Sequence, residues 1–184
     1  IKPGSYAYVS CDGGAPKPIP GSYQVSESSD LDIYDRVYDL FLSPVNLANT
    51  ANLQGRRVAD IIAGLPGTDR PVLGTAIVQV MDLQVAATGW NEKRLRAAGR
   101  AYRAIHTHPA SHATYYPGAD GMSLKLLLDP ATDAILGAQG VGRSGVDKRI
   151  DVIATAMTGG LRASDLAELE LAYAPPFSSA KDPV

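Results

Sequence analysis

Three groups of residues have the types and spacings that chemistry uses. His106 and His108 stand two apart, with His112 four further on. On a strand, H-x-H sends both rings to one side, and imidazole is the commonest metal ligand. The trio could therefore seat a metal ion in a small metal-dependent hydrolase. Such a centre also needs carboxylates to orient the rings, and the nearest in sequence is Asp120. Histidines bonded locally in a strand and loop are the plainer reading. Second, Gly140-Val141-Gly142-Arg143-Ser144-Gly145 fits G-x-G-x-x-G between a strand and a helix, the pattern that brings backbone close to a pyrophosphate. A dinucleotide fold needs another parallel strand after that helix, whereas a second helix and a Pro-rich tail follow here. The alternative is a glycine-rich turn that seats a packing helix closely. Third, Tyr115 and Tyr116 precede Pro117-Gly118, and Tyr173 precedes Ala174-Pro175-Pro176. These phenols could donate to an anion such as a thiolate, or simply cover the end of a sheet. Cys11 has no cationic neighbour to activate it and reads as a loop thiol.

The elements that would position these groups follow from periodicity. Residues 1 to 30 are rich in Gly, Pro and Ser, which excludes a long helix there. Leu47, Ala51, Val58, Ile61 and Ile62 predict a helix over 47–63, capped by Asn46 or Asn49 and closed by Gly64. Thr75 to Val80 and Leu83 to Thr88 read as a hairpin around Met81-Asp82. Asn91 caps a short helix through Leu95 to Ala98, ended by Gly99. Strands follow at 101–107, 122–128 and 134–141, the last two joined by a turn at Asp129-Pro130. Ile150, Ile153, Ala154 and Met157 mark one face of a helix over 147–157, ended by Gly159-Gly160. Its first turn, Asp147-Lys148-Arg149-Ile150-Asp151, reads as a solvated face or an interface with ion pairs, with Asp147 matching the helix dipole and Asp151 within reach of Lys148. A last helix is expected over 165–171. The order predicts an α+β fold: an antiparallel sheet with helices packed on one face.

Composition narrows the function classes. With 184 residues and 45% apolar residues, the chain can bury a core as one domain or one domain with an appendage. A formal charge of -2 without a basic stripe argues against nucleic acid, because neutralising phosphates needs clustered Lys and Arg. No apolar run is long enough to span a bilayer, and no basic start with an apolar stretch marks a signal peptide. One cysteine suits a reducing cytoplasm. Ile1 at the start and the Pro-rich end suggest part of a longer protein.

Several longer strings are more specific. Residues 145–156, 165–176 and 179–183, His112-Ala113 with Tyr115 to Ala119, and Ile135 to Gln139 resemble the dimerisation domain of the coenzyme A-disulfide reductase and NADH oxidase family, FAD-dependent pyridine nucleotide-disulfide oxidoreductases. The resemblance runs from about Leu47 to the end. It implies an α+β dimerisation fold, a homodimer, and a parent enzyme that uses FAD and NAD(P)H to reduce coenzyme A disulfide or a related low-molecular-weight disulfide. It also implies that Tyr115 and Tyr173 flank the redox cysteine of the partner subunit as candidate catalytic residues, while Tyr116 keeps a structural role. Near the helix start, Asn46-Leu47-Ala48 resembles the segment facing the flavin, so Leu47 and Ala48 become candidate cofactor contacts. Ser28 to Tyr34 resembles the strand entering the flavin site, which in the family leads to A-x-G-D.

Here that string is Asp35-Arg36-Val37-Tyr38-Asp39. Tyr38 replaces a glycine where backbone should approach a ligand, so Asp39 is a nominal counterpart of the flavin-binding aspartate. No counterpart of the family's nucleotide-binding domains or redox-cysteine motif lies within these residues. Arg162 stands where relatives place a capping threonine, a loss of about 1 kcal/mol unless Ser164 takes over. The resulting expectation is a remnant flavin-binding segment over 1–46, a flavin-facing helix and linker over 47–70, and a dimerisation domain over 71–184 that is inactive by itself. The alternative is the surviving part of a complete FAD-dependent NAD(P)H oxidase or persulfide reductase.

Overall fold

A computed structural model describes residues 48–66 and 72–181. The chain divides between Val72 and Leu73 into two units. Cys11, the Ser28 to Asp39 strings, Asn46, Leu47, Asp182 and Pro183 lie outside the described residues.

In the first unit, helix α1 spans Ala48–Ile62. Its buried residues are Thr50, Gln54 and Ile61, spaced four and seven apart, with Val58 half-buried between them. The predicted stripe is therefore rotated: Ala51 and Ile62 each sit one residue, or about 100° of helix, beyond a buried position and are exposed. Gly64 ends α1, and Leu65 N–H returns to the Asp60 carbonyl at 2.9 Å.

The second unit is a five-stranded antiparallel sheet in the order β1-β2-β5-β4-β3, with strands β1 (Ala76–Val80), β2 (Leu83–Gly89), β3 (Arg103–Thr107), β4 (Met122–Leu128) and β5 (Ile135–Gly142). Met81-Asp82 is the two-residue hairpin, since Val80 pairs directly with Leu83. Asp129 organises the β4–β5 turn, its Oδ1 accepting from the Ala131 and Thr132 amides at 2.9 and 3.1 Å. Between β2 and β3, helix α2 (Glu92–Ala97) starts where the Asn91 side chain accepts from the Arg94 amide at 2.9 Å. After β5, helix α3 (Val146–Gly159) lies on β2 and β5.

The core follows from strand alternation. Ala86, Met122, Leu124 and Ala138 point to one face, where Val146, Ile150, Ile153 and Ala156 of α3 cover them. Leu127 points the other way and meets Leu95 of α2 and Leu136 in a smaller cluster beside Trp90, Tyr102 and Ala104. The long helix thus occupies one face, and the short one plugs an end of the other. The predicted last helix is only a 3-10 turn, Ser164–Glu168, followed by extended backbone at Leu169. Asp165 Oδ2 accepts from Arg162 N–H and Asp133 Oδ2 from Ser164 N–H, both at 2.8 Å. The missing threonine cap is thereby replaced by two aspartates, not by Ser164. Among the described residues, no helix is long and apolar enough to cross a membrane.

Candidate functional site

The two candidate tyrosines, 58 residues apart in sequence, meet. Their hydroxyls share a 2.8 Å hydrogen bond, and the rings are 73% and 49% exposed for Tyr115 and Tyr173. Tyr115 sits on the loop between β3 and β4, and Tyr173 on the segment after the 3-10 turn. Backbone bonds bind these segments together. Buried Ala113 shares its N–H between the carbonyls of Pro175 and Ser178, at 3.3 and 3.1 Å. The Ser178 hydroxyl, itself buried, donates to the Ala172 carbonyl at 2.9 Å. Pro175-Pro176 begin the turn in which Phe177 and Ser178 donate back to the Ala174 carbonyl. Ser111 closes the loop base, donating to the Asp120 carbonyl at 2.7 Å and accepting from its amide at 3.1 Å.

A phenol–phenol hydrogen bond in water nets about 1 kcal/mol. Ordering one residue of backbone costs about 1–2 kcal/mol. The pair therefore cannot organise loop and tail; the scaffold must hold the pair. Chemically, one hydroxyl of two is spent inside the pair. The other keeps an outward O–H, polarised by the bond it accepts, and can donate to an anion on an opposing surface. The hydrogen bond with Tyr173 holds the Tyr115 pKa above the ordinary tyrosine value.

Bonded to this loop is a residue whose segment the sequence pattern left between a solvated face and an interface with ion pairs. Arg149 is not on a solvated face; it is fully buried. Its Nη2 donates to the Ser111 carbonyl at 3.1 Å and its Nη1 to the Gly145 carbonyl at 3.2 Å. The signal was available: Val146, Arg149, Ile150, Ile153 and Ala156 are spaced three, one, three and three, one continuous helical face. A charged residue within an apolar stripe is easily assigned to the neighbouring solvent face. Ala154, counted with the stripe from sequence, is only half-buried.

The other candidates take structural roles. Gly140 and Gly142 belong to β5, which is antiparallel to both neighbours, so the glycine run does not open a βαβ unit among the described residues. A Cβ on Gly140 would lie 2.8 Å from Val146 Cγ1 and 2.9 Å from Leu124 Cδ2, so the missing side chain admits α3. Gly145 adopts a left-handed φ of 75° directly before α3. His108 Nδ1 hydrogen bonds with Ser123 Oγ at 3.1 Å, and His112 Nδ1 with the Ala113 carbonyl at 3.2 Å. Tyr116 meets the His112 ring edge-on at 5.8 Å. Among the described residues, no group of three or more His, Cys, Asp or Glu could hold a metal ion. Of the flavin-facing candidates Asp39, Leu47 and Ala48, only Ala48 is described, as the exposed first residue of α1.

Comparison with known proteins assigns the sheet unit. Residues 75–183 match the family described as "Pyridine nucleotide-disulphide oxidoreductase, dimerisation domain". Coenzyme A disulfide reductase of Staphylococcus aureus (strain bovine RF122 / ET3-1) is 38% identical over 139 residues, 75% of this chain and 31% of that protein. The crystal structure of reduced Bacillus anthracis CoADR-RHD is 50% identical with a TM-score of 0.74, over 76% of this chain and 25% of that one. An NAD-dependent persulfide reductase from A. fulgidus is 40% identical with a TM-score of 0.72, over 76% and 26%. The chain therefore spans about a third or less of the length of these relatives. With more than half of its residues matched, this chain belongs to the pyridine nucleotide-disulphide oxidoreductase dimerisation-domain family.

Proposed function

We propose that this chain forms a homodimer within a FAD-dependent, NAD(P)H-using disulfide reductase that acts on coenzyme A disulfide or a related low-molecular-weight disulfide. In this reading, each copy presents Tyr115 and Tyr173 to the redox cysteine of its partner. One observation carries it: an exposed, hydrogen-bonded phenol pair held by a loop and tail that are bonded to each other, with no further hydrogen-bond partner for the pair among the described residues. Phe177, 73% exposed, and Tyr116 lie on the same two segments, and aromatic groups of this kind are enriched where protein surfaces meet. Tyrosine donors beside a cysteine thiolate would stabilise it, and one could return a proton to the departing thiol. The flavin would supply hydride chemistry when bound. Of this chain's described residues, only the N-terminus of α1 suits it, through a dipole that favours negative charge. The single cysteine is consistent with a cytoplasmic setting.

Sedimentation equilibrium tests the first part: a dimer is expected, and a strict monomer at high micromolar concentration would refute it. In a full-length enzyme carrying this sequence, Tyr115→Phe or Tyr173→Phe should lower turnover of coenzyme A disulfide about ten- to a hundredfold, the worth of a hydrogen bond to a charged group. Unchanged turnover in both variants would remove the tyrosines from the reaction. Parallel assays with coenzyme A persulfide separate the substrate class suggested by the A. fulgidus relative.

A further inference from the structure

We infer that Arg149 is a positioning residue for the phenol pair: its buried guanidinium pins the base of the tyrosine loop to the first turn of α3. The route is short. Nη2 holds the Ser111 carbonyl, and Ser111 closes on Asp120 through both its amide and its hydroxyl. Two residues on, Ala113 is bonded to the tail at Pro175 and Ser178, and its carbonyl accepts from Tyr116 N–H at 2.9 Å. Tyr115 lies between these nodes, and Tyr173 adjoins the Ala172 carbonyl that Ser178 holds. The second arm, Nη1 to the Gly145 carbonyl, ties the same guanidinium to the helix start.

The chemistry favours arginine at this point. An apolar residue of similar volume would pack the site without the desolvation that a buried guanidinium suffers. It could not donate to two carbonyls at fixed angles. Lysine has the charge but lacks the planar fork. Lys148, the neighbouring cation, reaches the Ala172 carbonyl at 3.5 Å with a single ammonium rather than a two-armed fork. A buried fork that ties α3 to the loop makes the tyrosine geometry follow the helix, whose inner face is buried in the main core. The importance of this geometry for disulfide reduction rests on the function proposed above; the positioning itself does not.

The test uses the full 184-residue chain with 3-fluorotyrosine and fluorine NMR, because fluorination brings phenol titration into a milder pH range. Signals are assigned with Tyr115→Phe and Tyr173→Phe. In the unaltered chain the Tyr115 signal should titrate higher than it does in the Tyr173→Phe variant. In Arg149→Met that elevation should vanish, and in Arg149→Lys it should be partly kept. The Tyr102 signal reports folding at a distant site, where its hydroxyl donates to Glu92 at 3.0 Å. Arg149→Met with an unchanged Tyr102 signal and an undiminished Tyr115 elevation overturns the inference. If Arg149→Met does not fold, Arg149→Lys decides by the same comparison: a full elevation overturns, a reduced one supports. No flavin or substrate is present, so failure here leaves the role in trans to the turnover assay, and failure of that assay leaves the positioning intact.

Discussion

Adding one methyl group at Gly140 should destabilise the sheet unit, and the structure gives the size of the effect. The new Cβ would stand 2.8 Å from Val146 Cγ1, 2.9 Å from Leu124 Cδ2 and 3.6 Å from Ile150 Cγ1. Carbon atoms pack best at about 3.5–4.0 Å, so two of these contacts overlap by roughly 0.6 Å or more. Neither neighbour can swing into solvent, because Val146 is fully buried and Leu124 nearly so. Val146 is also β-branched on a helix, with essentially one χ1 rotamer open to it. Overpacking of this kind costs about 1–3 kcal/mol. Against it stands a gain of about 0.4–1 kcal/mol, because alanine restricts the unfolded chain more than glycine does. Overlap wins, and Gly140→Ala should lose about 1–2 kcal/mol, read as a lower urea midpoint at unchanged slope. The double variant Gly140→Ala with Val146→Ala identifies the cause. Val146→Ala alone removes two buried methyl groups, roughly 1.6 kcal/mol by area. In the double variant the new Cβ occupies part of that space, so the combined loss should fall short of the sum by about 1 kcal/mol. A neutral Gly140→Ala, or strictly additive losses, would refute the claim that this glycine exists to admit α3, and would reopen the ligand-binding reading of the glycine run.

Leu127→Ala should lose about 2–5 kcal/mol in denaturant unfolding, because the side chain is fully buried between Leu95 and Leu136; a loss below 1 kcal/mol would contradict the smaller cluster. Tyr173→Phe should lower the Tyr115 pKa, which the hydrogen bond shared with Tyr173 holds above the ordinary value. A raised folded value means that this stabilisation is present below the unfolded tyrosine pKa and is lost as pH rises through the folded one. The stabilities of the unaltered chain and Tyr173→Phe should therefore converge in strong base, and a constant gap would contradict it. Glu92 has a lowered pKa because Lys125 and then Tyr102 hydrogen bond to it, with the Lys125 and Arg96 charges adding to the effect. Its contribution is present above the unfolded glutamate value and is lost as pH falls through the folded one. Glu92→Gln should flatten the acid limb of the stability curve, and an unaltered limb would rule out this contribution.

Much of the second unit was legible in local pattern. The hairpin around Met81-Asp82, the Asn91 cap and the Asp129 turn each depend on residues within a few positions of one another, and each appears where chemistry at short range puts it. The glycine run was legible only as two alternatives. Its spacing is the same whether backbone must approach a phosphate or a helix, and the antiparallel pairing of β5 decides for the helix. The last helix failed because its apolar spacing competes with a tail tied to the β3–β4 loop at Ala113, which draws the chain out after Glu168. On α1, the buried positions Thr50 and Gln54 are polar, so hydropathy pointed to the adjacent face.

By itself, the sequence determined most element types of the sheet unit, its fold class and, through strings at 112–113 with 115–119, 135–139, 145–156, 165–176 and 179–183, its family. Those features are encoded in neighbours along the chain. The tertiary structure alone decided that Tyr115 and Tyr173 share a hydrogen bond and that Arg149 is interior. Contacts across 58 and 38 residues leave no periodic trace. A buried guanidinium reads as a surface charge until the carbonyls it donates to are in place.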